Sequence, residues 1–380
     1  MSHRKSSTDL RRPRVLIGSL SSTTPGSIAT ITQSFINGLG NKYRFIVHYA
    51  NRKYGGTRQS VINPVNVLYF AKHFLLWVGR NLLYRPAIAH YPLGSFWNLE
   101  KSLLFFKLAR WCGASTVGHL HSGAFVNFWK SAPGWRKRLA RRELSALSAV
   151  VVLSEGWKER VHCEVGIDQS RIHIVNNPIE EEFESAALNM PIGRCTHEIL
   201  SIGAYSRPKG MFDAIEAFAR IQDGPEWKLV LAGPEREPRG FDTAARLTET
   251  LGIADRVELL KGAWGQDKIE LFRRASIFFL PSHFENFPLV AIEAAAAGIP
   301  IVSTPVGALP EFFHDGESVL FAPVGEIDVM AHALGSLTAE GGRRERLGGA
   351  ARAVFQSRLT RAHIMASMDS VYQSVLHNHD

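Results

Sequence analysis

The chain has 380 residues and a formal net charge of +9, with 45% apolar and 21% charged residues. This composition is close to that of average globular proteins and excludes a disordered chain, a collagen-like chain and a coiled coil. At about 100–200 residues per domain, the length predicts two domains or one large domain. The three cysteines, Cys112, Cys163 and Cys195, lack C-x-x-C spacing. They argue against a disulfide scaffold or structural zinc site and favour a reducing compartment.

Hydropathy predicts neither a secretory signal nor a membrane-spanning helix. The basic residues 1–14 precede an apolar stretch of only residues 15–20, whereas a signal peptide needs about 7–15 apolar residues. The two most apolar regions, residues 65–83 and 102–117, are each interrupted by two basic residues. A span needs about 20 nearly uncharged residues. We therefore expect a cytoplasmic protein.

Charge is divided unequally along the chain. Residues 1–178 hold 25 Lys and Arg against 7 Asp and Glu, a balance of +18, and residues 179–380 have a balance of −9. This division favours two domains with different surroundings. A basic half suits anionic lipid, phosphorylated substrates or nucleic acid, although a solvated basic surface is the simplest interpretation. Nucleic acid is the least favoured partner, because no helix-turn-helix, zinc finger or RNP-like pattern accompanies the charge.

The first half of the chain opens as an α/β unit. A strand-like run over residues 14–20 leads through a loop of small residues, 21–27, to a helical pattern over residues 28–39. Strands alternating with helices predict a parallel sheet covered on both faces. Further elements of this half are predicted as strands at 45–50, 88–91, 115–120 and 149–154 and helices such as 99–112 and 135–147.

The second half repeats the alternation after a turn-rich boundary near residues 189–194. We predict one domain over residues 1–190, to which a final helix at 360–380 returns, and another over residues 191–360. Ligands of two such domains are expected at the carboxyl ends of the strands, facing a cleft. The predicted elements of this half are strands at 198–203, 228–233, 257–261, 277–281, 299–303 and 318–322 and helices at 211–221, 240–251, 267–275, 289–297, 326–339 and 342–355.

The strongest chemical pattern is the run FENFPLVAIEAAAAGIP at residues 284–300. Glu285 lies in the loop after a predicted strand, and Glu293 lies in the helix predicted to begin near Leu289. The start of a helix exposes unpaired N–H groups and a positive dipole end, which favour an anion. A diphosphate bound there would have two carboxylates nearby to accept hydrogen bonds from sugar hydroxyls. The plainer alternative is that Glu285 caps the helix and Glu293 lies on the surface.

With these flanking residues the sequence resembles the retaining, nucleotide-sugar-dependent glycosyltransferases of family four, also called glycosyl transferases group 1. The family's E-x7-E motif corresponds to Glu285 and Glu293. Its basic diphosphate motif, G-R-x-x-x-x-K-G, corresponds in part to GAYSRPKG at residues 203–210, and its H-x-H-x-G loop corresponds to residues 119–123. The resemblance implies a GT-B fold, an α/β architecture of two Rossmann-like domains facing each other across a cleft.

The resemblance also implies roles for individual residues. His121, Lys209 and Glu285 are the implied catalytic residues, and His119 is a weaker candidate beside them. The diphosphate motif departs from the family at Ala204, where an Arg is usual. The residues implied to bind the nucleotide sugar are Gly26, Arg207, Lys209, Asn286, Phe287, Pro288, Leu289 and Glu293.

Several of these assignments have simpler alternatives. Lys209 and Arg207 could be surface charges, although Arg207 could also reach the phosphates that the missing Arg would contact. Gly26 could belong to an ordinary turn. An isolated histidine at the position of His121 would usually be structural. Because no metal-ligand spacing occurs among the 15 histidines, and GT-B enzymes as a class need no bound metal, we expect no metal and no cofactor besides the nucleotide-sugar co-substrate.

The implied activity is transfer of a sugar, with retention of configuration, to a lipid-linked or polysaccharide-type acceptor. Such an enzyme would serve exopolysaccharide or cell-envelope biosynthesis. A nucleotide-sugar epimerase is disfavoured by the two glutamates together with Lys209. A catalytically inactive sugar-nucleotide-binding scaffold of a polysaccharide assembly complex stays open because of Ala204.

Two groups of residues favour peripheral binding to the inner face of an anionic membrane. Apolar and basic residues between 70 and 80 could form an amphipathic surface, although a core helix is the alternative. A basic cluster follows the histidine loop. The first group is Phe70, Lys72, Phe74, Leu75, Trp77, Val78 and Arg80, and the second is Lys130, Arg136, Lys137, Arg138, Arg141 and Arg142.

Overall fold

The computed structural model describes residues 12–20, 27–49, 64–123, 125–221 and 226–377. Its contacts divide the chain into two compact units. Unit 1 takes the chain up to Asn177 and again from Ala362 onward, and unit 2 is Pro178–Arg361. Each unit contains one six-stranded sheet in which all paired strands are parallel. The predicted α/β fold with two Rossmann-like domains is therefore confirmed.

The sheet of unit 1 has the strand order β2-β1-β3-β4-β5-β6. Its central strands are buried on both faces, as parallel sheets require. The last helix of the chain, α15, belongs to this unit, and Ser115 Oγ at the start of β4 donates a hydrogen bond to Val375 O of that helix. The strands are β1 (Arg14–Leu20), β2 (Arg44–Tyr49), β3 (Ile88–Leu93), β4 (Ser115–Leu120), β5 (Ala149–Val152) and β6 (Ile172–Ile174), and the helices are α1 (Ser27–Leu39), α2 (Pro64–Tyr84), α3 (Trp97–Trp111), α4 (Phe125–Ser131), α5 (Gly134–Ser145), α6 (Glu155–Arg160) and α15 (Arg361–His377).

Helix α2 corrects one expectation from the sequence. Phe70, Phe74 and Trp77 do not form an exposed amphipathic face, because all three pack toward the core around Phe105 of α3. Trp77 is fully buried, its ring stacks on Phe105 at 5.1 Å, and its Nε1 donates to Phe105 O. The opposite side of α2 carries the exposed leucines instead.

The sheet of unit 2 has the strand order β12-β11-β10-β7-β8-β9. Numbered within the unit, this is the 3-2-1-4-5-6 order of a Rossmann sheet. The strands are β7 (Glu198–Ile202), β8 (Lys228–Ala232), β9 (Val257–Leu260), β10 (Ile277–Leu280), β11 (Ile301–Ser303) and β12 (Leu320–Phe321), and the helices are α7 (Glu181–Leu188), α8 (Met211–Ala219), α9 (Gly240–Thr250), α10 (Gly265–Arg274), α11 (Leu289–Ala296), α12 (Leu309–Phe312), α13 (Ile327–Ala339) and α14 (Gly341–Val354).

The boundary between the units lies at Asn177 and Pro178, not at the turn-rich residues 189–194. Helix α7 explains this position, because it packs within unit 2. The ring of Phe183 on α7 lies 4.9 Å from the ring of Phe272 on α10. Arg352 donates to Ala187 O and Met190 O at the end of α7. These contacts tie the segment before residue 190 to the second sheet.

Among the described residues, no helix combines the length and the apolar character that crossing a bilayer requires.

Candidate functional site

Strand order marks one place in unit 2 where a ligand site is expected. β8 and β9 extend the sheet on one side of β7, and β11 and β12 extend it on the other side of β10. The crossover connections therefore diverge between β7 and β10, and the loops leaving their carboxyl ends leave a crevice there. β7 leads to the 3₁₀ turn Arg207–Lys209, and β10 leads to the loop that contains Glu285. Two segments that are far apart in sequence thus meet at one edge of the sheet.

Lys209 and Glu285 form an ion pair at this edge. Lys209 Nζ donates to Glu285 Oε1 at 2.6 Å, and Ser282 Oγ donates to the same carboxylate oxygen at 3.2 Å. The Lys209 side chain is 35% exposed and that of Glu285 is 14% exposed, so the ammonium group is reachable from solvent. A reachable cation beside a carboxylate provides a contact for a phosphate and an acceptor for hydroxyl groups.

Close backbone contacts bring together the loops that follow β7, β10 and β11. Gly210 has φ +64°, and a Cβ atom there would lie 1.9 Å from Pro281 O, so only glycine lets the loop after β7 lie against the loop after β10. Gly307, in the loop after β11, has φ +59°, and a Cβ there would lie 2.4 Å from Asn286 O. Ala308 N donates to that same oxygen at 3.0 Å. The position of Glu285 and Asn286 is thus fixed from both sides.

We predict that Gly210→Ala destabilises the protein more than Gly252→Ala does. Gly252 has a similar φ of +69° but nothing within 4 Å of an added Cβ, so it reports the cost of the backbone conformation alone. That cost is about 1–2 kcal/mol. Gly210→Ala should lose about 1–3 kcal/mol more through the contact with Pro281 O. Urea unfolding of both variants measures the difference, and equal losses would contradict the close contact.

Glu293 lies on the buried side of α11 and is paired with a lysine that the sequence did not indicate. Its side chain is 4% exposed, and Lys268 Nζ on α10 donates to its Oε1 at 2.7 Å. Burial raises the pKa of Glu293, Lys268 opposes the shift, and Glu180 adds to it. Its second oxygen, Oε2, is buried without a hydrogen-bond partner among the described residues. The alternative of a surface glutamate is therefore excluded.

The remaining residues predicted to bind the nucleotide sugar occupy different environments. Arg207 is exposed, and its guanidinium lies 6.0 Å from the Phe212 ring centre. The backbone N–H of Arg207 donates to Glu237 Oε1. Phe287 is buried against the Phe312 ring. Pro288 stands at the N-cap position of α11, where no side chain caps the helix, so Glu285 does not act as a cap. Asn286 and Leu289 are half-buried on either side of this proline. Gly26 lies outside the described residues.

The predicted histidine loop lies at the carboxyl end of β4 in unit 1. His121 follows the strand directly, and its ring stacks on that of His119 at 3.9 Å. His119 is 1% exposed, and its Nδ1 lies 3.3 Å from Nε2 of His90 on β3. His90 Nδ1 in turn lies 2.6 Å from the hydroxyl oxygen of Tyr372 on α15. Burial lowers the pKa of His121 to about 4 and of His90 to about 3.

Sequence analysis missed five residues of these two groups. His90 and Tyr372 lie in an ordinary strand and helix, and only the fold brings them to His119. Lys268 and Ser282 likewise have no motif of their own. His283, next to Ser282, has its Nε2 2.7 Å from Asp213 Oδ2. The polar residues directly after a predicted strand, at positions 282 and 283, were the one available signal.

Part of the chain is similar in sequence to known glycosyltransferases. Residues 195–354 match the family model of glycosyl transferases group 1. An MMP alpha-(1->4)-mannosyltransferase of Mycolicibacterium hassiacum is 27% identical over 225 residues, which cover 59% of this chain and 52% of that protein. The alignments with the first four curated relatives cover between 20% and 53% of the relatives' own lengths. The chain thus spans about half of those relatives or less.

Solved structures match nearly the whole chain. A glycosyltransferase from Rickettsia africae superposes with a TM-score of 0.75 at 15% identity, over 97% of this chain and 100% of that one. HepE from Anabaena, solved in complex with UDP and glucose, superposes with a TM-score of 0.66 at 15% identity, over 96% of this chain and 100% of HepE. Both likenesses establish the GT-B fold. The match over residues 195–354 places most of unit 2 among the glycosyl transferases group 1.

Proposed function

We propose that the protein is a retaining glycosyltransferase that moves a sugar from a nucleotide-sugar donor to a lipid-linked or polysaccharide-type acceptor without a metal ion. The ion pair of Lys209 and Glu285 at the point where the strand order of unit 2 diverges carries the proposal. HepE, whose fold the chain shares, was solved with UDP and glucose. A nucleoside diphosphate sugar is accordingly the donor class that we infer.

The charges at this site suit the cleavage of a donor. When the bond between the sugar and the diphosphate breaks, the diphosphate gains negative charge and the sugar becomes similar to an oxocarbenium ion. Groups that bind the developing charge more tightly than the ground state lower the barrier. Lys209 Nζ and the N–H groups at the start of α11 are the described groups of unit 2 that we assign to the diphosphate. Arg207 is a further contact if its exposed guanidinium turns toward the same phosphates.

Carboxylates and a histidine complete the proposed roles. Glu285 accepts hydrogen bonds from the transferred sugar, and Glu293 accepts them from the ribose of the donor. His121 positions the sugar or its neighbouring hydroxyls and is not a covalent nucleophile. Retention then arises from attack on the same face of the sugar, which needs no nucleophile from the protein.

Turnover of radiolabelled sugar nucleotides by the purified protein tests the proposal. A thermal-shift panel of UDP-, GDP-, ADP- and dTDP-sugars first identifies the donor, because a ligand at 100 times its dissociation constant stabilises by about 2.7 kcal/mol. We expect one donor to be both bound and consumed, with the anomeric configuration retained in the product. Stabilisation without turnover for any acceptor would instead support an inactive sugar-nucleotide-binding scaffold, the alternative connected with Ala204.

The surface of unit 1 supports an acceptor at a membrane. Leu68, Leu75 and Leu82 of α2 are 74%, 69% and 63% exposed. Their spacing of seven residues places them on one side of the helix. Lys72 is exposed on the same helix, and Arg138 and Arg142 are exposed on α5. Apolar side chains beside basic ones suit the surface of an anionic bilayer, where each basic residue contributes about 1 kcal/mol.

We predict peripheral binding to vesicles that contain phosphatidylglycerol. Sedimentation should show binding at 0.1 M salt and release at 1 M salt, because the Debye length falls from about 10 Å to about 3 Å. Replacing Leu68, Leu75 and Leu82 together by Gln should weaken binding at least about tenfold, because three apolar side chains then no longer enter the interface.

Three exposed apolar residues of unit 2, Leu251, Val324 and Val329, provide the matched control for that variant. Their triple replacement by Gln should leave vesicle binding unchanged. Protein that stays bound in 1 M salt would show that apolar insertion, not electrostatic attraction, dominates.

A further inference from the structure

Three histidines of unit 1 form a continuous row of contacts that ends on the last helix, with His90 and His119 buried and His121 half-buried. Tyr372 on α15 contacts His90 on β3, His90 contacts His119 on β4, and His119 stacks on His121. Tyr372 and His90 are 0% and 3% exposed. Each contact in the chain lies within unit 1. A hydrogen-bond chain that water does not reach has a direction, which its members' donors and acceptors determine.

All three histidines are neutral at ordinary pH. Burial lowers the pKa of His90 to about 3 and that of His121 to about 4, and burial with the neighbouring His121 and His90 lowers the pKa of His119. Burial also raises the pKa of Tyr372, so its hydroxyl keeps the proton. A neutral imidazole has one N–H donor and one bare nitrogen acceptor. Each ring therefore takes one of two tautomers, and the contact between His90 Nε2 and His119 Nδ1 couples the tautomers of these two rings.

The number of buried polar groups left without a partner favours one of the two directions. If the Tyr372 hydroxyl donates to His90 Nδ1, then His90 Nε2–H donates to His119 Nδ1, and both contacts, at 2.6 Å and 3.3 Å, are hydrogen bonds with a donor at one end and an acceptor at the other. That direction leaves one buried group, the Nε2–H of His119, without a partner among the described residues. In the opposite direction Tyr372 accepts, and two buried groups, its O–H and the bare Nε2 of His119, lack partners among those residues. Each buried polar group left without a partner costs free energy. The first direction is therefore the stable one.

We propose that Tyr372 is a positioning residue that fixes the Nε2–H tautomer of His90 and His119 and thereby holds His121 in place at the carboxyl end of β4. The ring of His119 is held at Nδ1 and forms the platform against which His121 stacks, with 29° between the ring planes. His119 Nε2 then carries a hydrogen and is buried without a partner among the described residues. The catalytic consequence of this arrangement, but not the tautomers themselves, rests on the proposed glycosyl transfer.

Tyr372→Phe tests the proposal with little change in packing. Its ring also packs edge-on against Tyr43 at 5.1 Å, a contact that phenylalanine keeps. The matched control is Tyr43→Phe, because Tyr43 also loses a hydroxyl bonded to α15, at Asp369 and Gln373, but does not touch His90. Protein labelled with ¹⁵N in the histidine rings reports each tautomer by NMR. His90→Gln, His119→Gln and His121→Gln variants assign the signals.

We expect wild-type His90 and His119 to be protonated at Nε2 only. In Tyr372→Phe an Nδ1–H population of His90 should appear, and the His121 signals should shift or broaden, whereas Tyr43→Phe should leave all three rings as in the wild type. An Nδ1–H tautomer of His90 in the wild type would overturn the proposal. Histidine spectra unchanged by Tyr372→Phe would overturn it as well.

Kinetics with the donor that the thermal-shift panel selects test the positioning role. Tyr372→Phe should lower kcat by about 2- to 10-fold, the rate equivalent of one lost hydrogen bond, and should leave the donor dissociation constant unchanged. If the tautomers change but kcat does not, the positioning role fails while glycosyl transfer stands. If the wild type consumes no sugar nucleotide, the proposed function fails, and the spectra still decide whether Tyr372 fixes the tautomers.

Discussion

Lys209→Ala is expected to lower kcat by about 10²–10³-fold, as does the loss of one group that stabilises a developing anion in other enzymes. The ammonium group is assigned to the leaving diphosphate, whose charge grows as the reaction proceeds. The variant should therefore affect kcat more than the KM for the acceptor. Steady-state kinetics of sugar transfer measures both constants. Wild-type turnover in this variant would place the diphosphate site elsewhere.

Two further variants separate the charge of Lys209 from its other effects. Removing Lys209 leaves Glu285 without the partner that lies 2.6 Å away, so part of the loss would come from a carboxylate that repels the diphosphate. The double variant Lys209→Ala, Glu285→Gln removes that repulsion and should bind the free nucleoside diphosphate more tightly than Lys209→Ala alone. Lys228→Ala, which removes an exposed lysine from the start of β8, is the control and should keep wild-type kinetics.

Glu293→Ala is expected to weaken donor binding by about 1.5–3 kcal/mol, or roughly 10- to 150-fold, the value of a hydrogen bond to a charged group. Glu293 Oε1 is held by Lys268, and the buried Oε2 has no hydrogen-bond partner among the described residues, so its capacity to accept a hydrogen bond is unused and we assign it to a ribose hydroxyl. Calorimetric titration with the nucleoside diphosphate measures the change. Unaltered donor affinity would rule out Glu293 as a donor contact.

Stability has to be measured in parallel for this variant. Glu293→Ala also leaves the lysine of a buried ion pair without its partner, and breaking such a pair costs about 3–5 kcal/mol. Lys268→Met breaks the same pair but keeps the carboxyl group. If donor binding depends on Glu293 itself, Lys268→Met should retain most of the affinity despite a similar loss of stability. Equal losses of affinity in both variants would show that only the shape of α11 matters.

Strong local patterns made most of the fold predictable. The alternation of apolar strands with helices located all six strands of the second sheet within a few residues, because a strand buried on both faces is a short, nearly continuous apolar run. Two elements with weak sequence patterns, β6 and α7, were not predicted. β6 has only three residues, and α7 is an eight-residue helix that begins with Glu181 and Glu182. Missing α7 moved the predicted boundary into residues that belong to unit 2.

Sequence predicted the site to a different extent in each unit. Motif residues at loop positions, such as Lys209 and Glu285, could be assigned to one site from the sequence, because both follow strands that end at the same edge of the sheet. Partners without a motif could not be found, because their role depends on which strands become neighbours. His90 meets His119 only through the pairing of β3 with β4. The sequence also did not decide which side of α2 faces the core, because aromatic residues and leucines are distributed around the whole helix.

Unit 1 is completed by the last residues of the chain, and this order affects how the protein folds during synthesis. About 180 residues of unit 2 separate Asn177 from Ala362. At about 5–20 residues per second, a ribosome needs roughly 10–40 s to make them. Throughout that interval β3 and β4 lack α15, so Ser115 and His90 lack the partners that this helix supplies. His90 therefore reaches its tyrosine partner only after α15 has been made.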